Sequence, residues 1–182
     1  MSRTDARIRY TQGVLKQALL SFLQEKPINK ITVKEVCERA ELNRATFYAH
    51  YSDCFALLES IEEDLLKAFR QSLKLVDSFD VTALIEAIYT MIEQQQEACR
   101  VLIFQNVCPN VLRRMISLAR GKSIAYWKQH LHRVTDAELE MLYTHLSNGL
   151  MHVVVEGYEK YSREEVVRFV NRIVQCSLSQ FQ

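Results

Sequence analysis

The chain has 182 residues, 48% of them hydrophobic and 25% charged, with a formal net charge of +1. This is the composition of an ordinary folded protein with a sizeable core and one or two compact domains, and it excludes disordered and collagen-like chains. Only 4 Gly and 2 Pro interrupt it, and strand patterning is absent, so an all-α fold of long helices is expected.

Met1 to Tyr10 is polar and basic rather than carrying the apolar segment of a secretory signal. No later run approaches the length of a membrane span, so a cytoplasmic protein without a membrane partner is expected. The 5 cysteines lack regular spacing and suit a reducing compartment; Cys37 and Cys176 lie on apolar helix faces as small core residues. Arg3, Arg7 and Arg9 precede or open the first helix, where an arm can reach a phosphate or the minor groove, or can simply stay solvated. Charge is uneven along the chain: up to Ser52 nine Lys/Arg face five Asp/Glu, and beyond it fourteen face seventeen, giving +4 and −3. The basic part is the part expected to meet nucleic acid.

Ile31 to Leu58 reads as two short helices at a tight turn. Thr32 and Glu35 have the spacing of a capping box, in which each side chain satisfies the other's backbone N–H. Val33, Val36, Cys37 and Ala40 then form one apolar face. Asn43 is a good cap for a second helix that sends Phe47 and Tyr51 into the core and leaves Arg44, Thr46, Tyr48 and His50 on its other sides.

Ala45, Thr46, Phe47, Tyr48, Ala49, His50 and Tyr51 form a small, hydroxyl, apolar, Tyr, x, His, aromatic series that resembles the recognition helix of TetR/AcrR-type transcriptional regulators. The resemblance extends upstream through Val14, Leu15, Ala18, Leu19 and Phe22 and downstream through Ala56, Leu57 and Leu58, about the first third of the chain. It implies a three-helix, helix-turn-helix DNA-binding domain over residues 1–52 and a helical ligand-binding and dimerisation domain over 53–182. The DNA-binding residues it implies are Thr32, Arg44, Ala45, Thr46, Tyr48 and His50. Arg44 is suited to guanine and Ala45 to a thymine methyl, while Thr46, Tyr48 and His50 offer donors to phosphates. Two positions depart from the family pattern. Glu41 stands in the turn where glycine is frequent, so a left-handed conformation kept there costs about 1 kcal/mol. Cys54 stands where a phosphate-contacting lysine is common, which removes one anchor and lowers salt-dependent affinity.

Beyond Ser52, helical periodicity predicts helices over Phe55 to about Leu75, Val81 to Gln96, a short one near Arg100 to Asn106, and Asn110 to His130, with breaks at Asp77 to Asp80, Pro109 and Val134 to Asp136. Thr135 with Glu138, and Ser162 with Glu165, repeat the capping-box spacing and predict starts near Asp136 and Arg163. The last two helices carry broad apolar faces that need cover. By resemblance these pair with a second copy in a four-helix bundle through Leu146, Gly149, Leu150, Val166, Phe169, Val170, Ile173, Val174 and Ser177, with Gly149 marking close backbone approach. A homodimer would read an inverted repeat.

By the same resemblance a small-molecule effector is expected in the helical domain, with Tyr89, Phe104, Met115, Tyr126, Trp127 and His152 as candidate lining residues; the alternative is that these residues fill the core. No cofactor is expected. Cys99, Cys108, His130, His132, His145 and His152 lack a recognised metal-ligand spacing, since His145 and His152 stand about 10 Å apart along a helix. Phosphate loops, nucleophile elbows and paired-carboxylate motifs are missing, so no enzyme is expected. The expected function is a TetR-type regulator, a repressor released by its effector; the alternative is a relative without specific DNA binding that acts through a protein partner.

Overall fold

The computed structural model describes residues 3–75, 79–105 and 107–182. The Arg3 side chain, most of the expected break before Asp80 and the expected helix end at Asn106 lie outside the described residues. The described residues form α1 (Arg3–Leu23), α2 (Val33–Arg39), α3 (Arg44–Tyr48), α4 (Cys54–Ser72), α5 (Thr82–Gln94), α6 (Gln96–Cys99), α7 (Pro109–His130), α8 (Asp136–Gly157) and α9 (Arg163–Ser179). Strands are absent among them, as the all-α reading expects. Short 3-10 turns occupy Ile28–Lys30 and Leu73–Leu75. A π-type turn over Arg100–Phe104 continues α6, closed by Gln105 N–H donating to the Arg100 carbonyl at 2.9 Å.

The helices fall into two compact units: Met1–Leu65 with Glu97–Val107, and Leu66–Gln96 with Cys108–Gln182. The first therefore runs past Ser52 and takes in a second stretch of chain. Its α1 buries Leu15, Ala18, Leu19 and Phe22 at helical spacing, and the next three helices bury Val36, Phe47 and Leu57. Helix α2 packs on α1 and on α3. Arg100 Nη2 donates to Gln24 Oε1 at 2.9 Å, tying the Glu97–Val107 stretch to the residues after α1.

In the second unit α7 packs on α8, α8 on α9, and α9 on α5. Its helix starts follow from local chemistry. Both later capping boxes form, and α8 and α9 begin at Asp136 and Arg163 as the spacing predicts. The apolar stripe Val166, Val170, Val174, Leu178 of α9 is buried throughout. Gly157 stands where α9 comes close: a Cβ there would lie 3.0 Å from Val166 Cγ2, so that side chain would have to give way. Arg163 joins α9 to α5 through Glu86, at 3.0 Å, and Glu93.

Candidate nucleic-acid interface

The site lies wholly in the first unit. Glu35 N–H donates to Thr32 Oγ1 at 3.3 Å, and Thr32 N–H donates to Glu35 Oε2 at 2.9 Å, so the capping box that starts α2 is complete. Lys26 Nζ lies 2.6 Å from Glu35 Oε1. Together the Lys26 bond and the Thr32 bonds hold the Glu35 carboxyl down at about 2, well below the usual carboxylate range. Helix α2 ends in a Schellman arrangement, with Leu42 N–H donating to the Cys37 carbonyl at 2.9 Å and Glu41 N–H to that of Glu38 at 3.3 Å. That closure demands a left-handed residue, and Glu41 supplies it at φ 54°. The turn is thus built as it would be around glycine, with glutamate in its place.

Asn43 caps α3, accepting from Thr46 N–H at 2.7 Å and from the Thr46 hydroxyl at 2.9 Å. Phe47 is fully buried beneath the helix and Tyr51 nearly so, their ring centroids 6.0 Å apart. This anchor turns Arg44, Ala45 and Tyr48 outward, Tyr48 being 57% exposed. The helix is shorter than the expected span: it ends at Tyr48, and His50 and Tyr51 both donate their N–H to the Phe47 carbonyl at 2.9 Å. His50 is half-buried in the turn that follows. The six expected DNA-binding residues are therefore close in sequence but not alike. Arg44 has no hydrogen bond or ion pair among the described residues. By contrast, the Thr32 hydroxyl gives its proton to Glu35 and that of Thr46 to Asn43, so either must trade a bond to meet a phosphate.

Most cations of this unit have structural work. Lys16 pairs with Asp64 at 2.6 Å, Lys34 with Glu38 at 3.7 Å, and Arg39 with Glu25 at 3.1 Å. Arg39 also stacks over the Phe22 ring at 3.7 Å. Among the described residues, Arg7, Lys30 and Arg44 are left without such partners. Arg7 and Tyr10 of α1 share an open groove with Ala45, Thr46, Ala49 and His50. Tyr10 is 71% exposed, and the sequence reading did not single it out. Its signal was an aromatic residue three beyond an arginine on a helix, which acquires meaning only once the groove is seen. Arg7 and Tyr10 are helical, not part of an extended arm. Cys54, at the start of α4, is buried, and burial pushes its thiol up to about 11, so it stays neutral and offers a phosphate nothing.

No family model matches the chain. Over 62 residues, 34% of the chain, it is 36% identical to an uncharacterized HTH-type transcriptional regulator, YxbF, of Bacillus subtilis; the match spans only 16% of that relative's length. Among solved structures, a TetR transcriptional regulator from Streptococcus agalactiae is 24% identical, with 94% of this chain and 97% of that one covered at a TM-score of 0.67. The dihydroxyacetone kinase operon activator DhaS is 15% identical, covering 94% and 98% at 0.62. A TetR-family regulator from Mesorhizobium loti is 17% identical, covering 99% and 98% at 0.57. The fold is that of TetR/AcrR-type transcriptional regulators.

Within this TetR-type fold, the second unit places the expected ligand residues apart. Trp127 lines a partly open apolar pocket. Tyr126 is stacked on His130, with centroids 4.1 Å apart, and Met115 is buried. Tyr89 is buried beneath the Arg163 guanidinium, 5.1 Å from its ring centroid. His152 is exposed, with Nδ1 2.7 Å from the Asn148 carbonyl oxygen, and Phe104 belongs to the first unit. The expected dimer residues divide similarly. Leu146, Val166, Val170 and Val174 are buried within the chain itself, and Leu150, Ile173 and Ser177 are half-buried. Gly149 and Phe169 are exposed, and no atom comes within 4 Å of a Cβ built on Gly149. Cys176, expected in the core, is exposed because its helix turns the Val174 and Leu178 stripe inward instead. Among the described residues no three His, Cys, Asp or Glu side chains gather to hold a metal, and no helix is long and apolar enough to cross a membrane.

Proposed function

We propose that this chain is a DNA-binding transcriptional regulator of the TetR type, acting in the cytoplasm as a homodimeric repressor on an inverted repeat and released by a small-molecule effector. The observation that carries the reading is α3: its inner side is pinned by Phe47, and its outer side presents an unpaired Arg44 beside Ala45 and Tyr48. A guanidinium so placed reads guanine by two hydrogen bonds, and Ala45 leaves room for a thymine methyl. Tyr48, His50 and the unpaired Arg7 and Lys30 supply donors and charge to the phosphates on either side, with Thr32 and Thr46 joining by exchanging their internal bonds. A five-residue helix reads few bases, so two copies related by a twofold axis are needed for a useful site. The outward faces of α8 and α9, with Phe169 and Gly149 exposed, are where the second copy pairs.

Repression is assigned because a dimer seated on its operator blocks the promoter without any further surface. DhaS is an operon activator by name, so an in vitro transcription assay is the check on sign. The buried thiol of Cys54 and the Glu41 carboxylate in the groove favour the alternative, a relative that works through a protein partner. Selection of genomic fragments by the purified protein at near-physiological salt separates the two. An enriched inverted repeat whose affinity falls by about 1 to 3 kcal/mol in Arg44→Ala is the expected result. A stable dimer that enriches no sequence would sink the repressor reading.

A further inference from the structure

Arg7 and Tyr10 stand one helical turn apart on α1 and share an open groove with Ala45 and Thr46 of α3 and with Ala49 and His50 just beyond it. All of these residues belong to the first unit. Among the described residues neither Arg7 nor Tyr10 makes a hydrogen bond or ion pair, and the Tyr10 ring, 71% exposed, meets no other aromatic ring. A single exposed aromatic is ordinary. What sets Tyr10 apart is a free guanidinium one turn away and α3 on the opposite wall of the groove.

The groove suits an anionic strand. Guanidinium, phenol and imidazole donors come from Arg7, Tyr10 and His50, and the exposed Ala45 and Ala49 add no bulk that would hold a strand away. Glu41 is the one carboxylate among the described lining residues, and it weakens this match without cancelling three donors. Helicity decides which part of a duplex the α1 residues meet. An α-helix with its side chains is about 10–12 Å across and the minor groove about 6 Å wide. Arg7 and Tyr10, being helical, therefore cannot enter it as an extended arm would, and the sugar–phosphate backbone is what they reach.

We propose that Tyr10 is a DNA-contacting residue. Its hydroxyl donates to a phosphate oxygen and its ring lies against the adjoining deoxyribose, while Arg7 neutralises a phosphate beside it, so that α1 and α3 hold one backbone strand between them. This rests on the regulator reading above and extends the interface to a second helix. Two grips on one strand also fix the angle at which α3 approaches the bases, which a helix of 5 residues is too short to set alone. Contacts of this kind carry affinity and orientation but no sequence information of their own.

The test titrates the full chain over a series of salt concentrations with two duplexes of equal length, the selected inverted repeat and a mixed-sequence duplex that needs no operator. Tyr10→Phe should weaken both by roughly three- to tenfold, the worth of one hydrogen bond, and leave the salt dependence as it was. Arg7→Gln should weaken both and lower the slope of log affinity against log salt by about 1, and Arg7→Lys should restore that slope. Both side chains being exposed, melting temperatures should match the parent's. A loss confined to the repeat would mean base reading and would overturn the proposal, as would a parent chain that binds neither duplex. Variants that bind like the parent, while Arg44→Ala still lowers affinity for the repeat, would overturn it too and leave the regulator reading standing. Salt-dependent binding that Tyr10→Phe and Arg7→Gln both weaken, by a chain that enriches no repeat, would support the backbone grip and sink only the sequence-specific reading.

Discussion

Glu41 joins strain and charge at one position. It holds a positive φ, 54°, and its side chain lines the groove that Arg7, Tyr10 and Thr46 share. A left-handed residue with a Cβ costs about 1 kcal/mol or somewhat more, partly recovered because glycine would lose more entropy on folding. Glu41→Gly is therefore expected to raise stability by about 0.5–1 kcal/mol, read as an increase in melting temperature. It also removes a carboxylate from the groove proposed to face phosphates, so DNA binding should tighten. Glu41→Gln separates the two causes: tighter binding with no gain in melting temperature is the expected outcome. The left-handed turn was expected only through the family resemblance, which places glycine there, and the sequence left open a turn built differently around Glu41. The state of the cations was not legible either. Whether an arginine is free depends on partners such as Asp64 for Lys16, 48 residues away in sequence.

Capping chemistry governs where the helices start, and its carboxylates carry a pH dependence. Glu35 is held at about 2 by Lys26 and Thr32, and Glu138 and Glu165 are lowered by their bonds to Thr135 and Ser162. A carboxyl depressed in the folded state adds stability that is full above its unfolded value of about 4.5 and is lost as pH falls from there toward about 2. Thermal melts of Glu35→Gln should thus lie below the parent at pH 7 and converge with it near pH 2; a constant offset across that window would refute the linkage. Helix ends were less legible than helix starts. The recognition helix was expected to run to Tyr51 but stops at Tyr48. The last turn tightens there, with His50 and Tyr51 N–H both converging on the Phe47 carbonyl, and Tyr51 remains packed near Phe47 with its hydroxyl 3.4 Å from Ser60 on the next helix.

For the whole molecule, the proposed dimer depends on which sides of α8 and α9 stay uncovered. Val166, Val170, Val174 and Leu178 are consumed by the subunit's own core, which leaves Phe169, 41% exposed with the Arg172 guanidinium 6.0 Å from its ring, as an apolar anchor for a partner. Phe169→Glu should shift sedimentation toward monomer and reduce affinity for a full inverted repeat toward that of a half-site; an unchanged dimer would move the interface elsewhere. The sequence by itself determined the all-α class, the three capping-box starts and the burial of stripes at 3.6-residue spacing, because dihedral preference, capping and amphipathicity act within a few residues. Only the tertiary structure decided that Trp127 alone of the six expected ligand residues lines the apolar pocket, that Leu146, Val166, Val170 and Val174, assigned to a partner, face inward, and that Arg7 and Tyr10 share a groove with α3. Periodicity tells which side of a helix avoids water. It cannot tell whether that side meets a neighbouring helix, a second copy or an empty space, since packing is settled by the joint fit of residues far apart in the chain.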